Sequence, residues 1–482
     1  MIVNIAGFNI EKGLIDKLNS PLATPELISA SYARISRSNK SIDNLRKEAM
    51  QELEKARKTN TNIIFEMGHS SVAEHSVFNI DIIGISRALT ELVQRSRIAS
   101  FTEKSQRYVT FGKDYVIPKE FTNRPKLKQP YKKLMDELFA EYEFSFNALN
   151  ELYKKQKPQL RTRERECLAK EDARYILPLS TKTQMGMTIN ARSLENLLRR
   201  LNKSPLKEAA ELKELLYTKV SAIAPSLIRY LDTNEYTGKV DLEKVGFSGF
   251  LQQELPWVKE LDMENKVKVL NIPANADDTI LASIIYQQGE LDWNETKETV
   301  AHLPRIIKQQ LWNQVFKNLK PWNKVPRAFE TVDFCFELTM SESCWAQFKR
   351  HRYCTILRKA GSSLSAKIPP AIKAIKREDI WTELNNNIIR LGSLLPPKLA
   401  YLNPYFRTNA SLVTIFVKMN LREIYHFVRL RSDENAQWEI REISQLLAKQ
   451  VKKVAPQAAA FLCGKSEMNR DVLTYNFHLP LM

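Results

Sequence analysis

Between Arg95 and Tyr108 the chain reads RSRIASFTEKSQRY, which gathers Arg95, Arg97 and Arg107, the hydroxyls of Ser100 and Ser105, the carboxylate of Glu103 and the amide of Gln106 into one short stretch. Guanidinium forks, short hydroxyls and backbone N–H groups are the donors that hold a phosphate. Composition alone also admits a plainer reading, a solvated basic loop. A second group, KRHR at 349–352, lies like QRSR at 94–97 in an otherwise apolar, structured segment. Arginine buried there without an anionic partner would be costly. Other basic residues are dispersed, and the Lys-rich run at 126–133 reads as the solvated face of a helix.

The chain supplies the elements that must position these groups twice. SVFNIDIIGISRALTELVQRSR resembles VDFCFELTMSESCWAQFKRHR, and the stretch TQMGMTINAR followed by SAIAPSLIRYL resembles LVTIFVKMNLREIYHFVRLR followed by KKVAPQAAAFL. One spacing separates Asn190 from Asn420 and Arg192 from Arg422, one residue more separates Pro225 from Pro456, and a larger spacing separates Arg95 from Arg350. The openings PELISASYARIS and DTILASIIYQQG correspond as well. Landmarks kept in order mark a repeat. Within each copy a helical stretch leads to an alternating strand, at 78–83 and 334–338, whose period of two implies one buried face. An amphipathic helix with the Arg-x-Arg pair follows, then further strands and a final helix, and this order places Arg174 on a strand. The expected architecture is α+β: two tandem units, each a small twisted sheet packed with long helices, forming an internal pseudo-dimer. The first unit spans 1–232, a Gly-, Asn- and charge-rich connector 233–265, and the second unit 266–482.

Bulk properties set the outer bounds. A chain of 482 residues with 43% hydrophobic and 27% charged residues is ordinary soluble protein, long enough for several cores. There is no apolar run of about 18 residues to span a membrane, and the opening MIVNIAGFNIEKG does not read as a signal peptide. Five cysteines without CxxC spacing point to reduced thiols in a cytoplasmic protein, with neither a disulfide frame nor a metal site. The net charge of +18 favours polyanions, whether nucleotide, nucleic acid or phosphate-bearing cofactor. Interleaved aromatic stacking platforms are missing from the pattern, so a dedicated nucleic-acid partner is not expected.

The stretch at 95–108 resembles the signature of the flavin-dependent thymidylate synthases, RHRxxSxNExSxRY, at Arg95, Arg97, Ser100, Glu103, Ser105, Arg107 and Tyr108. Ser96 and Thr102 stand where that family has histidine and asparagine. ARIS (33–36), GHSSVAEH (68–75), EDARYILPLSTKT (171–183) and TINARSLENLL (188–198) resemble further elements of the family. So do RHRYCT (350–355), NLREIYHFVRLR (420–431) and AQWEIR (436–441) in the second copy.

The resemblance implies methylation of dUMP at C5, with carbon from methylenetetrahydrofolate, hydride from reduced FAD and electrons from NADPH. It implies no covalent enzyme nucleophile. Family members are homotetramers whose nucleotide site draws on a subunit pair, so a homodimer of this chain, a pseudo-tetramer, is expected. The family's substrate residues fall unevenly here. The first copy keeps Glu103, Lys104, Ser105, Gln106 and Arg107 with Arg174, but has Leu92 and Leu201 where the family has glutamine and arginine. The second keeps Gln347, Arg350 and Arg431, while its loop has become RKAGSS at 358–363. The complementary losses imply one composite nucleotide site per chain. Arg431 and Ser105 take the catalytic positions, Arg431 as a cation stabilising the ionised uracil ring.

For the flavin the resemblance points to Glu103 with Arg350, His351 and Arg352, and to Ser36, His69, Ser71, Asn190, Arg192 and Asn196. Several of these carry structural alternatives: Asn190 and Asn420 as strand ends, Asn196 as a solvated helix residue, His426 as a packed core histidine and Arg422 as half of an ion pair. Two other functions stay open. One is a flavin enzyme of the same family acting on a modified pyrimidine nucleotide, the other a catalytically dead, basic nucleotide- or RNA-binding protein.

Overall fold

Alternating side chains build two four-stranded antiparallel sheets of identical topology. In the first, β1 (Ile2–Phe8), β2 (Val77–Ser86), β3 (Ala99–Glu103) and β4 (Lys182–Asn190) run in the order β1-β2-β4-β3. In the second, β5 (Val267–Asn271), β6 (Asp333–Ser341), β7 (Thr355–Arg358) and β8 (Leu412–Asn420) run β5-β6-β8-β7. The central pairs start in the same register, Val77 opposite Asn190 and Asp333 opposite Asn420. Both strands foreseen from alternation are present and longer than the alternating core. β2 carries a bulge at Gly84, whose φ of +78° suits a residue without Cβ, whereas β6 pairs with β8 without interruption.

The computed structural model describes residues 1–229, 266–359 and 365–468; the expected connector at 233–265 and the second copy's loop from residue 360 onward lie outside them. The helices of the first unit include α1 (Glu26–Ile35), α2 (Arg87–Val93), the long α3 (Pro125–Gln156), α4 (Thr162–Ala173), α5 (Ala191–Lys203) and α6 (Lys207–Ser221). Later helices include α7 (Glu342–Phe348), α8 (Glu378–Ser393), α9 (Leu421–Arg431) and α10 (Trp438–Val454). No described helix is long and apolar enough to cross a membrane.

The same local chemistry starts the same helices in both sheets. Ser86 caps α2 by accepting from the Leu89 N–H (3.0 Å) and donates its hydroxyl to Glu208 (2.7 Å); Ser341 caps α7 through the Cys344 N–H (3.0 Å) and donates to Glu439. Asn190 and Asn420 end β4 and β8 and cap α5 and α9, their Oδ1 atoms accepting from Ser193 (2.8 Å) and Glu423 (2.9 Å).

The described residues gather into two compact units: residues 1–229 with 368–409, and residues 266–359 and 365–367 with 410–468. Strand sequence such as Met185, Met187 and Ile189 supplies the first core, and Phe334, Phe336 and Leu338 the second. The stretch 368–409, inside the second repeat by sequence, is thus part of the first unit. Its helix α8 lies on α3, where the Trp381 indole N–H donates to Glu141 (2.9 Å) and Arg377 forks the same buried carboxylate. Beyond it, Tyr405 donates its hydroxyl to Glu208 (2.5 Å), and Phe406 packs edge-on against Phe121 and Tyr131.

Arg174, expected on a strand, closes α4 instead and lies in the 3-10 turn Arg174–Ile176. The reason is burial on every side: Ala169 to Ala173 are all buried, so the segment shows neither helical nor strand periodicity.

Candidate functional site

In the first unit the predicted loop leaves β3 and folds back over the start of β4. Glu103, the last residue of β3, is almost wholly buried, and its carboxylate accepts from Arg87 Nη1 (2.6 Å), Gln94 Nε2 (2.9 Å) and Thr183 Oγ1 (3.2 Å). It anchors the loop to α2 and β4. Lys104 bonds β4 through its backbone N–H to Gln184 O (3.0 Å) and lays its ammonium over the Phe111 ring. Ser105 opens a tight turn: its Oγ accepts from the Arg107 N–H (3.2 Å) and its carbonyl from the Val109 N–H (3.0 Å). The turn sends Gln106 inward and Arg107 across to Glu171 of α4 (2.7 Å).

Arg174 lies at the centre of this arrangement. Its guanidinium is buried, Nε donates to the Glu171 carbonyl (3.3 Å), and Nη2 has no hydrogen-bond partner among the described residues. Burial lowers its pKa; Tyr175 and Glu171 oppose that shift, while Arg107 and Arg87 reinforce it. Gln106 Nε2 is likewise buried and unpartnered, its Oε1 being taken by Asn409 Nδ2 (2.9 Å). Two buried donors without acceptors among the described residues, beside the ion-paired Arg107, are groups able to hold an anion.

In the second unit Gln347, His351 and Arg431 meet. Arg431 reaches from the end of α9 to donate Nε–H to His351 Nε2 (3.1 Å) and Nη2–H to the Gln347 carbonyl (3.2 Å). Accepting at Nε2 requires neutral His351 with its proton on Nδ1, which faces Glu423 at 3.5 Å. Burial is the main cause lowering the His351 pKa, opposed by Glu423 and reinforced by Arg431 and His426. Arg350 is exposed, and Arg352 half-buried.

The first copy's flavin candidates share one edge of the first unit, where α1, the turn Ser70–His75 and α5 pack together. Ser36, Ser71 and Asn196 are exposed there, His69 meets Arg37 (3.4 Å), and Arg192 pairs with Glu74. Asn190 serves as a cap, the alternative its position allowed. Arg422 pairs with Glu330 (2.7 Å), again as its alternative had it. The second unit has a pocket of about 600 Å³ whose lining includes Trp322, Tyr353, Asn420, Arg422, His426 and Arg429. Trp322 and Tyr353 are exposed aromatics, and with two arginines they fit a planar ligand that carries phosphate, as a flavin dinucleotide does.

One side chain placed like a site residue escapes the sequence match. Arg200 of α5 donates Nη1–H to the Leu92 carbonyl (2.7 Å) and contacts Ser96 Oγ (3.4 Å). Leu92 and Ser96 are the counterparts of Gln347 and His351, so Arg200 makes in the first unit the contacts Arg431 makes in the second. Leu201, which the spacing aligns with Arg431, is a core residue. The signal was present in the one-residue longer spacing of Pro225 and Pro456. Burial, with Arg95 nearby, pulls the Arg200 pKa down to about 10.

The family model for the thymidylate synthase complementing protein matches residues 16–226 and 274–457. The UPF0159 protein Ta1429 of Thermoplasma acidophilum is 24% identical over 447 residues, covering 83% of this chain and 87% of its own length. The flavin-dependent thymidylate synthase of Clostridium tetani is 31% identical over 222 residues, 45% of this chain and 86% of that enzyme. Among solved structures, the UMP/dUMP methylase PolB of Streptomyces cacaoi bound with 5-Br dUMP aligns with a TM-score of 0.34 at 18% identity, over 47% of this chain and 92% of that one. Thymidylate Synthase X of Helicobacter pylori with FAD and dUMP aligns with a TM-score of 0.27 at 23% identity, over 48% and 100%. The chain therefore belongs to the thymidylate synthase complementing protein family, a family of flavin-dependent enzymes.

Proposed function

We propose that this chain transfers a one-carbon unit from methylenetetrahydrofolate to C5 of dUMP and reduces it to the methyl group of dTMP. The observation that carries the reading is the buried donor group of Arg174 and Gln106 beside Arg107, which suits a nucleotide's phosphate dianion. Arg107 and Arg174 bind the phosphate, and Lys104, Ser105 and Gln106 orient it, while Glu103 fixes the loop that carries them. Arg350 adds a further guanidinium at the phosphate, and Gln347 and Arg431 serve the uracil ring. A guanidinium at O4 stabilises the ring ionised at N3 and so raises electron density at C5. Both sets serve one nucleotide per chain, and the repeats at 1–232 and 266–482 are the two family-like units that supply them.

Bound FAD, reduced by NADPH, supplies the hydride. Residues proposed to hold it are Arg350, His351 and Arg352 with Ser36, His69, Ser71, Asn190, Arg192 and Asn196. The chain works in the cytoplasm as a homodimer, a pseudo-tetramer of family-like units, and light scattering reads that mass directly. The activity is tested by release of tritium from C5-tritiated dUMP with methylenetetrahydrofolate, NADPH and FAD. Flavin- and folate-dependent release with dTMP as product is expected; a flavin-loaded chain that releases none overturns the reading.

A further inference from the structure

We propose that Asn409 is the positioning residue that makes the anion site of the first unit an all-donor site. The inference rests on the nucleotide reading above. Asn409 is 1% exposed and its backbone is pinned: its N–H donates to Leu177 O (3.0 Å), and the Leu179 N–H donates to Arg407 O (2.7 Å). These bonds hold it beside the turn that carries Arg174, and its side-chain Nδ2 donates both to the Arg174 carbonyl (2.8 Å) and to Gln106 Oε1 (2.9 Å).

A chain of polarity follows. A backbone carbonyl can only accept, so the Asn409 amide must turn its NH₂ toward Arg174. That same NH₂ faces Gln106, which must answer with Oε1. Gln106 therefore turns its own NH₂ away from Asn409, where it is buried and unpartnered like Arg174 Nη2. Without Asn409, Gln106 is free to turn over and present a carbonyl oxygen, which repels a phosphate. Serving two acceptors leaves Asn409 Oδ1 without a partner of its own. The device belongs to the second repeat: Asn409 stands eleven residues before Asn420, whereas Leu179, eleven before Asn190, has no side-chain donor to offer.

The test titrates flavin-loaded chain with dUMP by calorimetry. Asn409→Asp, ionised at pH 8, cannot donate, and it draws the Gln106 NH₂ toward itself. Kd and KM for dUMP should rise about 30-fold, with kcat within about twofold. Acidification, which protonates the new carboxyl and restores one donor, should recover several-fold of that loss. A charge acting through space would persist in a Gln106→Leu background, whereas a residue acting through Gln106 loses its effect there. Asn409→Asp is therefore expected to change Kd less than about threefold in Gln106→Leu. Additive effects, or an unchanged Kd in the single variant, overturn the proposal. Should Asn409→Asp not fold, Asn409→Ser, which can donate once, is read by the same cycle. If the wild-type chain binds no dUMP, the nucleotide reading fails on its own and inorganic phosphate becomes the probe. Weaker phosphate binding by the variant then supports the role of Asn409, while equal binding, or no phosphate binding by either chain, ends it.

Discussion

A guanidinium placed where water cannot reach it keeps its charge only if something compensates; among the described residues Arg174 donates one hydrogen bond, to the Glu171 carbonyl, and Tyr175 and Glu171 favour its charge while Arg107 and Arg87 oppose it. Replacing it with alanine should weaken dUMP binding by about 2–4 kcal/mol, the worth of a charge-assisted bond to a phosphate. Arg431→Ala should lower kcat far more than affinity, since its proposed work is on the activated ring. Calorimetry and steady-state rates separate the two; wild-type behaviour of either variant removes that residue from the site. His351 gives the second unit a pH dependence. Its folded pKa lies below the unfolded value of about 6.5, so the neutral ring stabilises the fold above that pH, and stability falls as pH drops through the folded pKa. Thermal melts between pH 7 and pH 4.5 should decline, and His351→Gln should flatten the part of the decline due to this ring. Of the candidate site, the loop residues were legible because a long motif covers them, and Arg174 because it falls in the EDARYILPLSTKT element. Arg200 and Asn409 were not: the first sits one residue off the repeat's spacing, and the second has no motif and matters only through a crossing of the chain.

Elements were legible where one face is buried and one is wet. β2, β6 and the final helix α10 follow from period alone. α4 failed that test because its last turn is enclosed throughout. The packing of α8 on α3 carried no sequence signal either, since an amphipathic helix advertises a buried face without naming its partner. That contact is concentrated in Trp381, which fills the gap and satisfies Glu141 through its indole N–H. Trp381→Ala should cost about 3–5 kcal/mol, leaving a cavity and weakening the hold on a buried carboxylate. Urea unfolding measures this, and a loss below about 1 kcal/mol would show that α8 is a surface attachment.

At the scale of the whole molecule, repeats in sequence and compact units in space divide the chain differently. A fragment of residues 1–232 has its own sheet but lacks Arg377, Trp381, Tyr405 and Asn409, all of which complete the first unit. Made alone, it should unfold at lower temperature than any transition of the intact chain and should bind dye that reports exposed apolar surface. A fragment as stable as the full chain would show these four contacts to be dispensable.

The same interleaving imposes an order on synthesis. The ribosome delivers Glu141 and Glu208 long before it delivers Trp381 and Tyr405, and at about 5–20 residues per second the interval is on the order of ten seconds or more. Through that interval the nascent first unit holds a bare face of α3, with carboxylates destined for burial still in water and aromatic residues such as Phe121 and Tyr131 not yet covered by Phe406. A growing chain in that condition exposes apolar surface, and the first unit is completed only once residues 368–409 have been made.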